Sequence, residues 1–160
     1  MSFISQILLA AAREGRVSSV QACLQQPGCD VNATDSDRRT AVMLAASAGH
    51  LDCVRACLQQ ARCDVNATDV NGWAALGYAV GGGHLECVRE FLNQPDCKVN
   101  AADNGGRTAL MYAAFGNQPT CARACLQRPE CDVNAADISA MTALLYAAQC
   151  GHHECVTACL

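Results

Sequence analysis

The chain has 160 residues, 51% of them hydrophobic, and its 11 Lys and Arg against 15 Asp and Glu leave a formal charge of −4. That balance provides no basic stripe for phosphates, which sets nucleic acids and anionic membranes aside as partners. No stretch approaches the roughly 18 apolar residues of a membrane-spanning helix.

The opening run, Ser2-Phe3-Ile4-Ser5-Gln6-Ile7-Leu8-Leu9-Ala10-Ala11-Ala12, is apolar but has no basic segment ahead of it, as a signal peptide would. It reads as a helix, because residues 8–15 precede 42–49 by 34 positions and share their pattern. The next helix is expected over 41–46, with Thr40 as N-cap and Gly49 supplying the positive φ that ends it. Residues 51–60 follow with Leu51, Val54, Cys57 and Leu58 on one face and Asp52, Arg55 and Gln59 on the other, which predicts a second helix. Residues 64–97 repeat 30–63 at 17 of 34 positions, a period that signals stacked helical units and not one globular core.

The step of 34 continues to the end of the sequence. Asp-Val-Asn-Ala at 30–33 and 64–67 becomes Lys98-Val99-Asn100-Ala101 and then Asp132-Val133-Asn134-Ala135, with Asp35, Asp69, Asp103 and Asp137 two residues on. Asn and Asp bond nearby backbone and tolerate left-handed conformations, so a hairpin-like turn is expected there. In the fourth unit Phe115-Gly116-Asn117-Gln118-Pro119-Thr120 departs from the pattern. Asn117 is expected to take the left-handed position, Pro119 the helix start, and Phe115 an exposed site.

Helix, tight turn, helix and projecting hairpin at this period resemble the ankyrin repeat. The family's T-P-L-H-x-A signature stands here as Thr40-Ala41-Val42-Met43-Leu44-Ala45, Ala74-Ala75-Leu76-Gly77-Tyr78-Ala79, Thr108-Ala109-Leu110-Met111-Tyr112-Ala113 and Thr142-Ala143-Leu144-Leu145-Tyr146-Ala147, each without the Pro and His. Gly49-His50-Leu51-Asp52-Cys53-Val54 and Gly83-His84-Leu85-Glu86-Cys87-Val88 match its G-H-L-E-x-V element. The resemblance implies an all-α ankyrin-repeat solenoid of helix-turn-helix units with β-hairpin-like loops. It implies one domain over 1–160, with an N-terminal capping unit at 1–29 and further units at 30–63, 64–97, 98–131 and 132–160. His50, His84 and His152 recur after glycine, which suggests helix-start or inter-unit bonding.

Twelve of the 13 cysteines fall into columns: Cys29, Cys63, Cys97, Cys131; Cys53, Cys87, Cys121, Cys155; and Cys23, Cys57, Cys125, Cys159 with Phe91 interposed. Packed helices lie about 8–10 Å apart, beyond the roughly 7 Å between Cα atoms that a disulfide spans. Cysteine here reads as a small buried hydrophobe in a reducing compartment. The one grouping with metal-ligand character is Cys150, His152, His153 and Cys155. It has no C-x-x-C and shares a helix face with core positions, so no metal or other cofactor is expected. Catalysis needs unlike groups converging on one point, whereas nearly every polar residue here belongs to a column, so the chain reads as no enzyme. Tyr78, Tyr112 and Tyr146 share a column with Leu44 and read as core.

Positions that differ between units mark a surface packing does not dictate. By the resemblance they line the concave groove that holds a partner protein: Arg39, Val70, Asn71, Trp73, Arg107, Phe115, Ile138 and Met141. The groove has a charged end at Arg13, Asp37 and Arg39. Trp73, the one tryptophan, and Phe115 flanked by arginines have the composition of a binding hot spot, and Gly81-Gly82-Gly83 is expected to open a shallow pocket beside Trp73. The function expected is a protein-interaction module or scaffold, cytoplasmic or nuclear, holding a protein or peptide and no small-molecule substrate. Two alternatives are a thiol-rich metal or redox protein and a segment of a larger scaffold or signalling protein, since the chain stops on Leu160 without a polar cap. Asn32, Asn66, Asn100 and Asn134 also resemble the asparagines hydroxylated in ankyrin domains.

Overall fold

A computed structural model describes residues 2–160 and, among them, ten helices in five pairs. They are α1 (Phe3–Arg13), α2 (Val17–Leu24), α3 (Ala41–Ser47), α4 (Leu51–Leu58), α5 (Ala75–Gly81), α6 (Leu85–Leu92), α7 (Ala109–Phe115), α8 (Pro119–Leu126), α9 (Ala143–Cys150) and α10 (His153–Cys159). The odd-numbered helices pack in one layer and the even-numbered ones in a second, each against its predecessor and successor. The result is an all-α solenoid.

The core is the set of apolar columns. Ala11, Ala45, Ala79, Ala113 and Ala147 are fully buried along the first layer, small enough to let neighbouring helices approach. Val20, Val54, Val88 and Ala122 do the same in the second, beside Cys53, Cys87, Cys121 and Cys155. Where Phe91 replaces cysteine, its ring is equally enclosed.

Each helix pair turns on a left-handed residue. Gly15, Gly49, Gly83 and Gly151 have φ between 71° and 73°, and Asn117, at 53°, takes the same role in the fourth unit, with Pro119 opening α8. The end of α4 is shorter than the sequence suggests: it stops at Leu58, and residues 59–63 turn on Gln60 N–H to Cys57 O and Cys63 N–H to Gln60 O. Thr40 stands at the N-cap of α3, but its hydroxyl is buried without a hydrogen-bond partner. Thr108 and Thr142, by contrast, accept from Met111 and Leu145.

The hairpins close later than the Asp-Val-Asn-Ala run, through bridges between Thr34 and Thr40, Thr68 and Ala74, and Ala102 and Thr108. Their left-handed residue is not the asparagine but the one before the fourth residue after Asp: Arg38, Gly72, Gly106 and Ala140. The asparagines instead stitch units together. Asn32 donates its amide to the Arg62 carbonyl and accepts from Asp64 N–H; Asn66 bonds Asp96 and Lys98 in the same way, and Asn100 bonds Glu130 and Asp132. The Asn134 amide has no such partner among the described residues.

A second stitch uses the histidines. His50 Nε2 lies 3.2 Å from the Arg13 carbonyl, His84 Nε2 3.2 Å from that of Ser47, and His152 Nδ1 2.9 Å from that of Ala114. The tips are joined as well, by Val70 N–H to Asp37 O, Asn104 N–H to Asn71 O and Ile138 N–H to Gly105 O.

Candidate binding face

Each hairpin is organised by one aspartate. Asp69 Oδ1 accepts from the backbone N–H groups of Asn71 and Trp73, and Oδ2 from the Tyr78 hydroxyl at 2.7 Å. Asp103 repeats this with Gly105, Arg107 and Tyr112, and Asp137 with Ser139, Met141 and Tyr146. In the second unit Leu44 stands in the tyrosine column, and Asp35 takes Arg39 Nε at 3.0 Å and Arg13 Nη2 at 3.4 Å instead. Burial pushes the Asp69 and Asp103 carboxyls up, but the tyrosine hydroxyl and the backbone donors outweigh it and hold both below the usual carboxylate value. The partner tyrosines move the other way, raised by burial and then by the anion each one bonds.

Tyr78, Tyr112 and Tyr146 pack against the core as expected, and these bonds add a second role. All three are half-buried, and their hydroxyls turn down onto the hairpin carboxylates, so the rings form part of a surface. Trp73 lies among them, 5.3 Å from Tyr78 and 4.1 Å from Tyr112 between ring centroids. Its indole roofs Gly77 and Gly81, where an added Cβ would sit 3.4 Å from it. The expected pocket at Gly81-Gly82-Gly83 is therefore filled, by Trp73 over the first, His84 against the second and Gln118 against the third.

Beyond Trp73 the strip continues through Arg107, whose guanidinium sits 5.2 Å over the Tyr112 ring and pairs with Asp103 at 3.1 Å. Phe115, 59% exposed, meets Tyr146 edge-on at 5.9 Å. Arg107, Met111, Tyr112, Phe115 and Tyr146 enclose an open notch of about 80 Å³. Trp73, Arg107 and Phe115 are thus brought together.

The other expected residues lie elsewhere on the hairpins. Val70 and Ile138 are exposed at tips, Ile138 to 83%, and Asn71 is exposed between them in sequence, its carbonyl taken by Asn104 N–H. Met141 is half-buried at the foot of the last hairpin, and Arg39 is held by Asp35 and Asp37.

Residues 8–103 and 95–160 match the family model described as ankyrin repeats (3 copies). The chain belongs to the ankyrin repeat family. No curated protein matches it. Ankyrin repeats are generally protein-interaction modules.

Most thiols of this ankyrin array face inward. Eight are buried, and Cys150 is the one exposed cysteine among the 13. Burial pushes the Cys57 thiol up to about 12 and those of Cys63 and Cys97 up to about 11. Cys155 is enclosed, with Sγ 3.7 Å from the Ala113 carbonyl, and His152 is bonded to Ala114. Among the described residues no three His, Cys, Asp or Glu side chains converge as metal ligands, and no helix is long and apolar enough to cross a membrane.

Proposed function

We propose that the chain is a non-catalytic binding module that holds a partner protein or peptide on the strip running from Trp73 to Tyr146. The five units at 1–29, 30–63, 64–97, 98–131 and 132–160 act together as one rigid domain. The observation that carries this reading is Phe115: a large ring left 59% exposed, edge-on to Tyr146 and lining one notch with Tyr112 and Arg107. A cluster of aromatic rings beside an arginine is the composition that carries binding energy in protein interfaces. The carboxylates and hydroxyls nearby are spent on one another, which leaves rings to meet a partner and no free acid-base pair to do chemistry. Buried, unreactive thiols fit a cytoplasmic or nuclear setting.

The test is capture from a cytosolic extract with the native chain and a Phe115→Ala variant that melts at the same temperature, followed by hydrogen exchange on the captured complex. Loss of the partner with Phe115→Ala, together with protection of α7, α9 and their hairpins, is the expected result. Retention by both proteins, with protection on the α2–α10 layer instead, would sink the reading.

A further inference from the structure

The notch between α7 and α9 is specific enough in size and lining to name what enters it. It is small and open, and its apolar lining suits the branched end of Val, Leu or Ile or the tip of Met. Its walls are rings and a thioether. The Tyr112 and Tyr146 hydroxyls point away onto Asp103 and Asp137, so they present carbon to the notch.

One charged group stands at the mouth. Arg107 uses Nε and Nη2 on Asp103 Oδ2, while Nη1 has no partner among the described residues and the side chain is 46% exposed. The negative charges lie underneath: the Asp103 side chain is 4% exposed and Asp137 9%. The local dipole therefore points its positive end outward. A lysine or arginine of a partner would meet Arg107 first, and the face of Tyr112 that could receive a cation is already covered by it.

We propose that this notch takes an aliphatic side chain of an extended partner segment while an Asp or Glu one or two residues away in that segment pairs with Arg107 Nη1. The proposal rests on the binding face described above and adds the chemistry of what binds there.

Two fold-safe variants are supplied by the repeat itself. Met141 stands in the column of Arg107 and keeps the Asp137–Tyr146 bond, so Arg107→Met removes the charge in a context this hairpin tolerates. Ser47 stands in the column of Phe115, so Phe115→Ser opens the notch with a residue that already ends α3. A random linear peptide library displayed on phage is panned on the native chain and on both variants. Enriched peptides are then synthesised, with each acidic residue also changed to its amide, and their affinities measured by fluorescence polarisation.

The expected result is a shared aliphatic residue with Asp or Glu within two positions. Amide replacement then weakens binding about two- to fivefold, as an exposed ion pair would. That penalty disappears on Arg107→Met, and Phe115→Ser lowers affinity for every such peptide. Peptides that lose affinity on Phe115→Ser but show no acidic preference, or a basic one, overturn this inference and leave the binding face standing. Peptides indifferent to Phe115→Ser, or no enrichment on the native chain over the Phe115→Ser variant, overturn both.

Discussion

At Asp103 one carboxylate receives two backbone N–H groups, a tyrosine hydroxyl and a guanidinium, and so fixes the hairpin, the first helix and the surface ring together. Replacing Tyr112 by Phe deletes a hydrogen bond to a charged acceptor, and a loss of about 1–2 kcal/mol in urea unfolding is expected. The carboxyls of Asp69 and Asp103 are held below their ordinary value of 3.8 in the folded chain. Below about pH 4 the unfolded chain therefore binds protons that the folded chain refuses, so stability is present above that pH and is lost as pH falls further. Tyr112→Phe should make this acid-side slope shallower, which a series of urea midpoints between pH 5 and pH 3 would register. The hairpin tips carry a different strain. Ala140 holds φ at 58°, where Gly72 and Gly106 occupy the equivalent sites of their own hairpins. Left-handed backbone costs a non-glycine residue about 1–2 kcal/mol, offset in part by the entropy of glycine in the unfolded chain. Ala140→Gly is expected to raise stability by about 0.5–1 kcal/mol, read from the same unfolding curves; a destabilised variant would contradict the account.

Helices and turns owe their positions to two kinds of signal, and only one of them is visible as a repeat. Apolar columns at offset 34 locate all five helix pairs, and the recurring glycine, with Asn117 in its place in the fourth unit, marks where each pair folds back, because both are properties of a residue and its sequence neighbours. Thr40 shows where such reasoning stops. The residue type suits a cap, but the Thr40 hydroxyl is left without a partner while that of Thr108, in the same column, caps its helix, so the residue type alone does not decide the bond. The Asp–Tyr pairs were legible in principle, since the two recur nine residues apart in three units. Tyrosine in an apolar column reads as core unless its hydroxyl partner is also sought. Glycine substitutions separate local from tertiary demands. Gly28 has φ of 78° with nothing within 4 Å of an added Cβ, whereas at Gly49, φ 73°, that atom would lie 2.5–2.9 Å from the His84 ring. Gly28→Ala should cost about 1 kcal/mol from backbone strain alone. Gly49→Ala should cost clearly more, because the imidazole must also leave the Ser47 carbonyl; equal losses in thermal melts would show the ring to be free to move.

Over the whole molecule the cysteines behave as a single property. Eleven of the 13 have thiols raised above their ordinary value of 9, chiefly by burial: residues 29, 53, 57, 63, 87, 97, 121, 125, 131, 155 and 159. A group whose folded value is raised stabilises the fold fully below its unfolded value and ceases to do so as pH climbs through the folded one. Stability under reducing conditions should therefore decline steadily from about pH 9 upward, more steeply than a chain with a few exposed thiols would show. A thiol reagent at neutral pH should find Cys150 quickly and the enclosed sulfurs slowly. The candidate face was half legible for a related reason. Variation between units singled out Trp73, Arg107 and Phe115, but Val70, Asn71 and Ile138 vary as well and lie apart on hairpin tips, since variation reports freedom from packing and not adjacency. The glycine turns also set an order of events. The Arg13 carbonyl is bonded by His50, that of Ser47 by His84 and that of Ala114 by His152, so in these three units the contact that closes a unit is carried by the next. On a ribosome adding about 5–20 residues per second, a unit that has fully emerged must wait for the 34 residues of its successor, roughly two to seven seconds, before it can be locked. The array thus matures one step behind its own synthesis.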